Sequence, residues 1–254
     1  MQDTLRIDNV IQAYGGLRVL QGVSFSVAAG ENVALIGPNG AGKTTLLNIL
    51  TGLLSPVSGS VYLDGREITG LSTPKRIALG MGRSFQITSL FPELSILNNV
   101  MLALLGVQRI SYHMLRPISS FKAVNDAARE LLESVDLWDA RACLPAEISY
   151  GEQRRLELTL ALGSRPKILL LDEPSAGLSN EESAALAGML RLPAYNDVAI
   201  LFVAHDMDLV FGVADRILVL YYGTIVAEGT AEEIQRDEKV RECYFGSSME
   251  AYHA

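Results

Sequence analysis

The chain has 254 residues, 49% apolar and 20% charged, with a formal net charge of −8. That balance excludes a disordered or collagen-like chain and suffices for a sizeable core without disulfides. An isoelectric point near 5.0 leaves no global basic field, so nucleic acid is not expected as a partner.

The opening MQDTLRIDN has neither a basic start nor an apolar centre and does not read as a secretory signal. LRIDNVIQAYG and VLQGVSFSVAAGE alternate apolar and polar residues with glycine at the bends, which predicts short strands in the first thirty residues. NVALIG predicts a compact buried strand, followed by a glycine-rich loop and a helix from 43 to about 54, closed by Gly52 and Pro56. Asp64-Gly65 between strand-like runs signals a hairpin. From 86 to about 146 the periodicity turns helical, and AVNDAARELLESVDLW places Val124, Ala127, Ala128, Leu131, Leu132 and Val135 on one face. RPKILLLDEP and DVAILFVAHD read as apolar strands separated by a helix over 181–190, the pattern of a parallel sheet covered on both faces. ILVLYYGTIVAEGT predicts another hairpin before a charged helical tail. No internal repeat is present. The longest apolar run, 100–107, falls far short of the roughly 20 residues that a membrane-spanning helix needs. A mean hydropathy of +0.23 still leaves room for an apolar partner surface. Cys143 and Cys243 lack the spacing of a zinc site or a disulfide framework, which suits a reducing compartment.

GPNGAGKTT (37–45) fits G-x-x-x-x-G-K-[ST] between a predicted strand and a predicted helix. Phosphate oxygens must come close to backbone N–H groups, and Gly37, Gly40 and Gly42 allow the chain to wrap without Cβ clashes. The helix starting at Lys43 adds its positive N-terminal end. Lys43 is expected to reach the β- and γ-phosphates and Thr44 to ligate Mg²⁺. Asn39, Ala41 and Thr45, within the same motif, complete the expected phosphate-binding set.

ILLLDEP (168–174) ends an apolar strand in two carboxylates. Asp172 suits the Mg²⁺ shell of a phosphate-loop enzyme, and Glu173 can polarise an attacking water. His205 closes the next strand, so it is expected at the sheet edge that carries Asp172 and Gly37, where ligands bind in open parallel sheets.

With these residues in place the chain resembles the ATP-binding-cassette (ABC) ATPases over nearly its full length. ISYGEQRR (148–155) is similar to that family's signature LSGGQ: Ser149 and Gly151 keep its positions, while Ile148, Tyr150 and Glu152 depart from it. SFQ resembles the family's Q-loop, which implies that Gln86 joins Thr44 and Asp172 around Mg²⁺. SAGLS (175–179) resembles the D-loop with Ser179 in place of aspartate, and His205-Asp206 resembles the switch. Tyr14 stands where the family places an aromatic ring on adenine. Ser149 also suits a helix N-cap whose free amides can hold a phosphate. RSFQITSLFPELSILNNV, QRRLEL, AHDMDLV and the ending VRECYFG are similar to the ATPases of branched-chain amino acid type importers, a group that also serves urea, amides and other polar solutes.

The resemblance implies an α/β fold with a P-loop NTPase (RecA-like) core, a mostly parallel sheet, an N-terminal antiparallel β-subdomain and a helical insertion. One domain over 1–254 is expected: core and β-subdomain at 1–85 and 155–254, helical subdomain with the signature at 86–154, and a helical tail at 230–254. It also implies an ATPase that uses ATP and Mg²⁺, peripheral on the cytoplasmic face of the inner membrane. Its partners would be permease subunits and a second cassette, the same or a homologous chain, with no direct solute contact. Leu90, Phe91, Leu94, Ile96 and Leu97 offer an apolar docking surface for the permease. The alternative is a soluble ABC ATPase of DNA repair or translation, against which stands the absence of a long coiled-coil insertion or a second cassette. A phosphate-loop kinase or GTPase is disfavoured by the signature and by the lack of N-K-x-D.

Overall fold

The computed structural model describes residues 3–83, 90–107, 122–192 and 195–242. Gln86, Cys243 and the tail beyond residue 242 lie outside the described residues.

Two sheets face each other. The first is antiparallel, in the order β2-β1-β4-β5, built from β1 (Asp3–Tyr14), β2 (Leu17–Ala28), β4 (Ser58–Leu63) and β5 (Arg66–Glu67). β1 and β2 fall on the two segments expected from sequence, each a continuous strand of 12 residues. A bulge interrupts their pairing: Asn9 adopts φ 47° opposite Gly22, its amide donating to Ser24 Oγ at 2.8 Å. The Asp64-Gly65 turn has φ 48° and 74°, the two left-handed positions of a tight hairpin.

The second sheet runs β10-β9-β3-β8-β7-β6. Five strands are parallel: β3 (Asn32–Ile36), β6 (Met81–Arg83), β7 (Ile168–Asp172), β8 (Ala199–Val203) and β9 (Arg216–Tyr221). β10 (Thr224–Gly229) pairs antiparallel with β9 through the expected hairpin, turned by Tyr222 and Gly223. The central strands are buried on both faces and divide their side chains with the two-residue period of a pleat. Val33, Leu35, Leu170 and Leu201 face the antiparallel sheet and helix α1 (Lys43–Thr51). Ala34, Ile36, Leu171 and Phe202 face the remaining helices. Those are α3 (Ile96–Val107), α4 (Lys122–Ser134), α5 (Tyr150–Gly163), α6 (Asn180–Leu190) and α7 (Met207–Val213). A short α2 (Thr73–Ala78) precedes β6, and α8 (Ala231–Arg236) and α9 (Glu238–Val240) follow β10.

The α4 face is narrower than the pattern suggests. Val124, Ala128 and Leu132 are buried, Ala127 and Leu131 are half-buried, and Val135 is buried just beyond the helix end. α1 stops at Thr51 rather than near 54, because Gly52 takes φ 77° and its amide returns to Asn48 O and Ile49 O.

Arg76, only 1% exposed, completes that helix end. Its guanidinium donates to Ile49 O and Leu50 O at 2.6 Å, to Thr69 O at 2.7 Å and to Leu71 O at 2.9 Å. A cation at a helix C-terminus is favourable, and here it also satisfies carbonyls that water cannot reach. Arg76→Met is expected to lower unfolding stability by about 2–5 kcal/mol in urea titration, since the buried carbonyls lose their donors. A loss under about 1 kcal/mol would show that these carbonyls find other partners.

Candidate nucleotide site

The loop after β3 is shaped by close backbone approaches. Gly37 has φ 151°, and a Cβ there would lie 2.0 Å from Leu220 O. Gly42 has φ 109°, and its Cβ would meet Leu20 Cδ2 at 2.8 Å and Val19 O at 3.0 Å. Neither position accepts another residue without moving backbone. Gly42 is also the N-cap of α1 and offers no capping side chain, so the first amides of that helix face the loop. Asn39, Gly40 and Thr44 are exposed at the mouth, Thr45 is half-buried, and Ala41 and Lys43 are buried. Lys43 Nζ donates to Gly37 O at 2.6 Å and to Pro38 O at 3.0 Å. Burial pulls its pKa below the ordinary lysine value, against the opposing charges of Glu173 and Asp172.

Those carboxylates end β7, beside the loop. Asp172 is 8% exposed, and burial pushes its carboxyl above the usual carboxylate range, with Arg83 opposing the rise. Arg83 Nη2 lies 4.0 Å from Asp172 Oδ2, and Arg83 also donates to Thr51 Oγ1 at 3.1 Å. A folded-state pKa raised by burial means that ionised Asp172 opposes folding at pH 7, an opposition relieved as pH falls toward that pKa. Asp172→Asn is therefore expected to raise the melting temperature of the nucleotide-free protein at pH 7, by a margin that shrinks on acidification, while ATP hydrolysis is lost. A lower melting temperature at pH 7 would mean that Arg83 and Lys43 outweigh the burial.

Glu173 adopts φ 48°, a strained conformation for a non-glycine residue, held by its amide donating to Val203 O at 2.8 Å. Its Oε1 lies 3.3 Å from His205 Nε2, both side chains being partly exposed. Asp206, the next residue, caps α7 through the amides of Asp208 and Leu209 and accepts from Ser183 Oγ at 2.7 Å. The sheet thus brings Lys43, Asp172, Glu173 and His205 to one edge.

Ser149 caps α5, and Glu152 closes a capping box: Glu152 N donates to Ser149 Oγ at 3.2 Å and Ser149 N to Glu152 Oε2 at 2.8 Å. Glu152, read from sequence as a departure, has this local task. Ser179 behaves in the same way, capping α6 in a box with Glu182. The start of α5 rests on the segment after Glu173. Tyr150 packs beside Gly177, Arg154 Nε donates to Pro174 O at 3.2 Å, and the Glu182 carboxylate lies against Gly151. Ser149 and Gly151 are thereby grouped with residues 174–182; no hydrogen bond joins them to residues 37–45 among the described residues. Tyr14 is 50% exposed at the end of β1. Arg83, Arg154 and Glu182 were not singled out from sequence, where each looks like an ordinary charge on a strand or helix.

No cluster of three acidic, histidine or cysteine side chains forms a cation cage among the described residues. One buried carboxylate and one exposed hydroxyl fit Mg²⁺, which takes one or two protein ligands together with substrate phosphates.

The ABC transporter family matches residues 20–176, and the branched-chain amino acid ATP-binding cassette transporter family matches residues 224–250. Over 97% of its length the chain is 35% identical to the high-affinity branched-chain amino acid transport ATP-binding protein LivG of Salmonella typhimurium, covering 99% of that protein. It is 35% identical to BraF of Pseudomonas aeruginosa over 96% of its length and 98% of BraF. The lipopolysaccharide export system ATP-binding protein LptB of Escherichia coli is 33% identical, over 97% of this chain and 98% of LptB. A solved ATP-binding cassette of an ABC transporter in its ADP conformation superposes with a TM-score of 0.83 at 29% identity, covering 97% of this chain and 100% of the other. These likenesses span the phosphate loop, both sheets and the helices between them, and the chain belongs to the ABC transporter family as an ATP-binding cassette that hydrolyses ATP.

Proposed function

We propose that this cassette energises a membrane importer for branched-chain amino acids or related polar solutes. The observation that carries the catalytic half is the meeting of Lys43, Asp172, Glu173 and His205 at one sheet edge, with Glu173 Oε1 3.3 Å from His205 Nε2. In this reading the backbone of Gly37, Asn39, Gly40, Ala41 and Gly42, with Lys43, Thr44 and Thr45, cradles the phosphates, and Tyr14 stacks on adenine. Thr44, Asp172 and Gln86 would hold Mg²⁺, which would supply charge neutralisation on the phosphates. Glu173 accepts a proton from the attacking water, and His205 orients that carboxylate and the γ-phosphate. Ser149 and Gly151 serve the nucleotide of a second cassette, identical or homologous. The 1–85, 86–154 and 155–254 division and the 230–254 tail stand as the working domain scheme.

No described helix is long and apolar enough to cross a membrane. By likeness to the transporter subunits, the cassette would attach to the cytoplasmic face of the inner membrane through permease subunits. The expected docking surface needs one correction. Leu90 and Ile96 are buried in the core, which leaves Phe91, 54% exposed, with half-buried Leu94 and Leu97. The solute class rests on the match at 224–250 to the branched-chain family, since identity to LivG and to LptB differs little.

Purifying the complex from native membranes tests the proposal. A co-purifying permease whose ATP hydrolysis rises with a branched-chain amino acid and its binding protein is expected. Recovery with lipopolysaccharide export components, or with ribosomes or DNA, would overturn it.

A further inference from the structure

The start of α5 already faces an anion of its own chain. Glu182 Oε1 lies 2.2 Å from where a Cβ on Gly151 would stand, so the glycine is what lets this carboxylate approach. Glu182 Oε2 accepts from the Ser179 amide at 2.9 Å. The amides of Ser179 and Gly151 hold its pKa below the usual carboxylate range, so it is charged at neutral pH. The backbone that carries it is fixed: Ser183 Oγ donates to Asp206 Oδ2 at 2.7 Å, and Ser179 caps the helix. Relief of the contact must come from rotation of the Glu182 side chain, which then gives up its bond to Ser179.

We propose that Glu182 is an internal counter-ligand of the signature turn, holding the place at Gly151 that the γ-phosphate of the partner cassette's ATP must take, and thereby setting the ATP concentration at which two cassettes close. The inference rests on the reading of Ser149 and Gly151 as the trans-phosphate site. Two anions packed against one glycine repel, so the phosphate has to evict the carboxylate that lies against Gly151. Other contacts at this helix start would survive the eviction, because Ser149 and Glu152 bond each other independently of Glu182. Glu182 is a positioning residue, remote from the reacting atoms of its own chain's nucleotide.

The test uses the full chain carrying Glu173→Gln, so that ATP persists, with ATP-driven self-association followed by sedimentation. Adding Glu182→Gln removes the charge but keeps a side chain that serves in a capping box. Half-maximal association is expected at about three- to tenfold lower ATP, with a weaker salt dependence. A purely structural role for Glu182 predicts no shift with glutamine, and an unchanged or higher ATP requirement overturns the proposal. Ser149→Arg in the same background separates the two levels. If it abolishes association while Glu182→Gln changes nothing, the counter-ligand idea fails alone. If Ser149→Arg associates like its parent, the signature reading fails and takes the inference with it.

Discussion

Glu173→Gln is expected to lower ATP turnover of the intact transporter by about 10²–10⁴-fold, the usual share of a positioned base. The backbone at Glu173 is held at φ 48° by the Val203 carbonyl, and that strain aims the carboxylate out of the strand end toward His205. Glutamine fills the same volume and can still accept a hydrogen bond from His205, but it takes no proton from water. Nucleotide binding should therefore survive, and a closed ATP-bound pair should accumulate. Steady-state phosphate release by the purified complex, alongside equilibrium ATP binding, checks both halves. Turnover within a few fold of the parent would remove Glu173 from the role of base.

Lys43→Ala is expected to weaken ATP binding by at least about 10²-fold, because charge-assisted bonds to two phosphates disappear together. Lys43 Nζ bonds two loop carbonyls, Gly37 O and Pro38 O, and can exchange them for phosphate oxygens without moving the helix. Alanine is a strong helix former, and burial already disfavours the lysine charge, which offsets part of the loss of the bonds to Gly37 O and Pro38 O, so the chain should still fold. Titration with a fluorescent ATP analogue, next to a thermal melt, measures the effect. Unchanged affinity in a folded protein would contradict the assignment of the phosphate loop.

Local signals explain what could be read in advance. The glycines at 37, 40 and 42 all adopt positive φ, the apolar strands at 168–172 and 199–203 are buried throughout, and Asp64-Gly65 turns a hairpin. Each depends on a few consecutive residues. The parts that escaped depend on side chains meeting across the fold. Arg76 looks like a surface arginine on a short helix, yet it is buried against α1, with no periodicity to announce it. Arg83 reaches Asp172 from an edge strand of three residues. Glu152 and Ser179 differ from the family pattern in identity, yet each belongs to a Ser-x-x-Glu capping box, Ser149–Glu152 and Ser179–Glu182, whose spacing is visible in the sequence once identity is set aside. The β1–β2 ribbon follows its two predicted segments, and the bulge at Asn9, where the alternation breaks, is visible only in the pairing. Ile96, grouped from sequence with exposed Phe91, turns inward because α3 begins there.

The central claim is that each ATP is held between the phosphate loop of one cassette and the signature of another. Lys43→Ala and Ser149→Arg chains, each inactive alone on the permease, test it when mixed. In a mixed pair, one site combines the intact Lys43 of the second chain with the intact Ser149 of the first. Phosphate release should then recover in part, in proportion to the mixed pairs formed. A mixture that stays inactive under conditions that reassemble wild-type pairs would contradict the shared site.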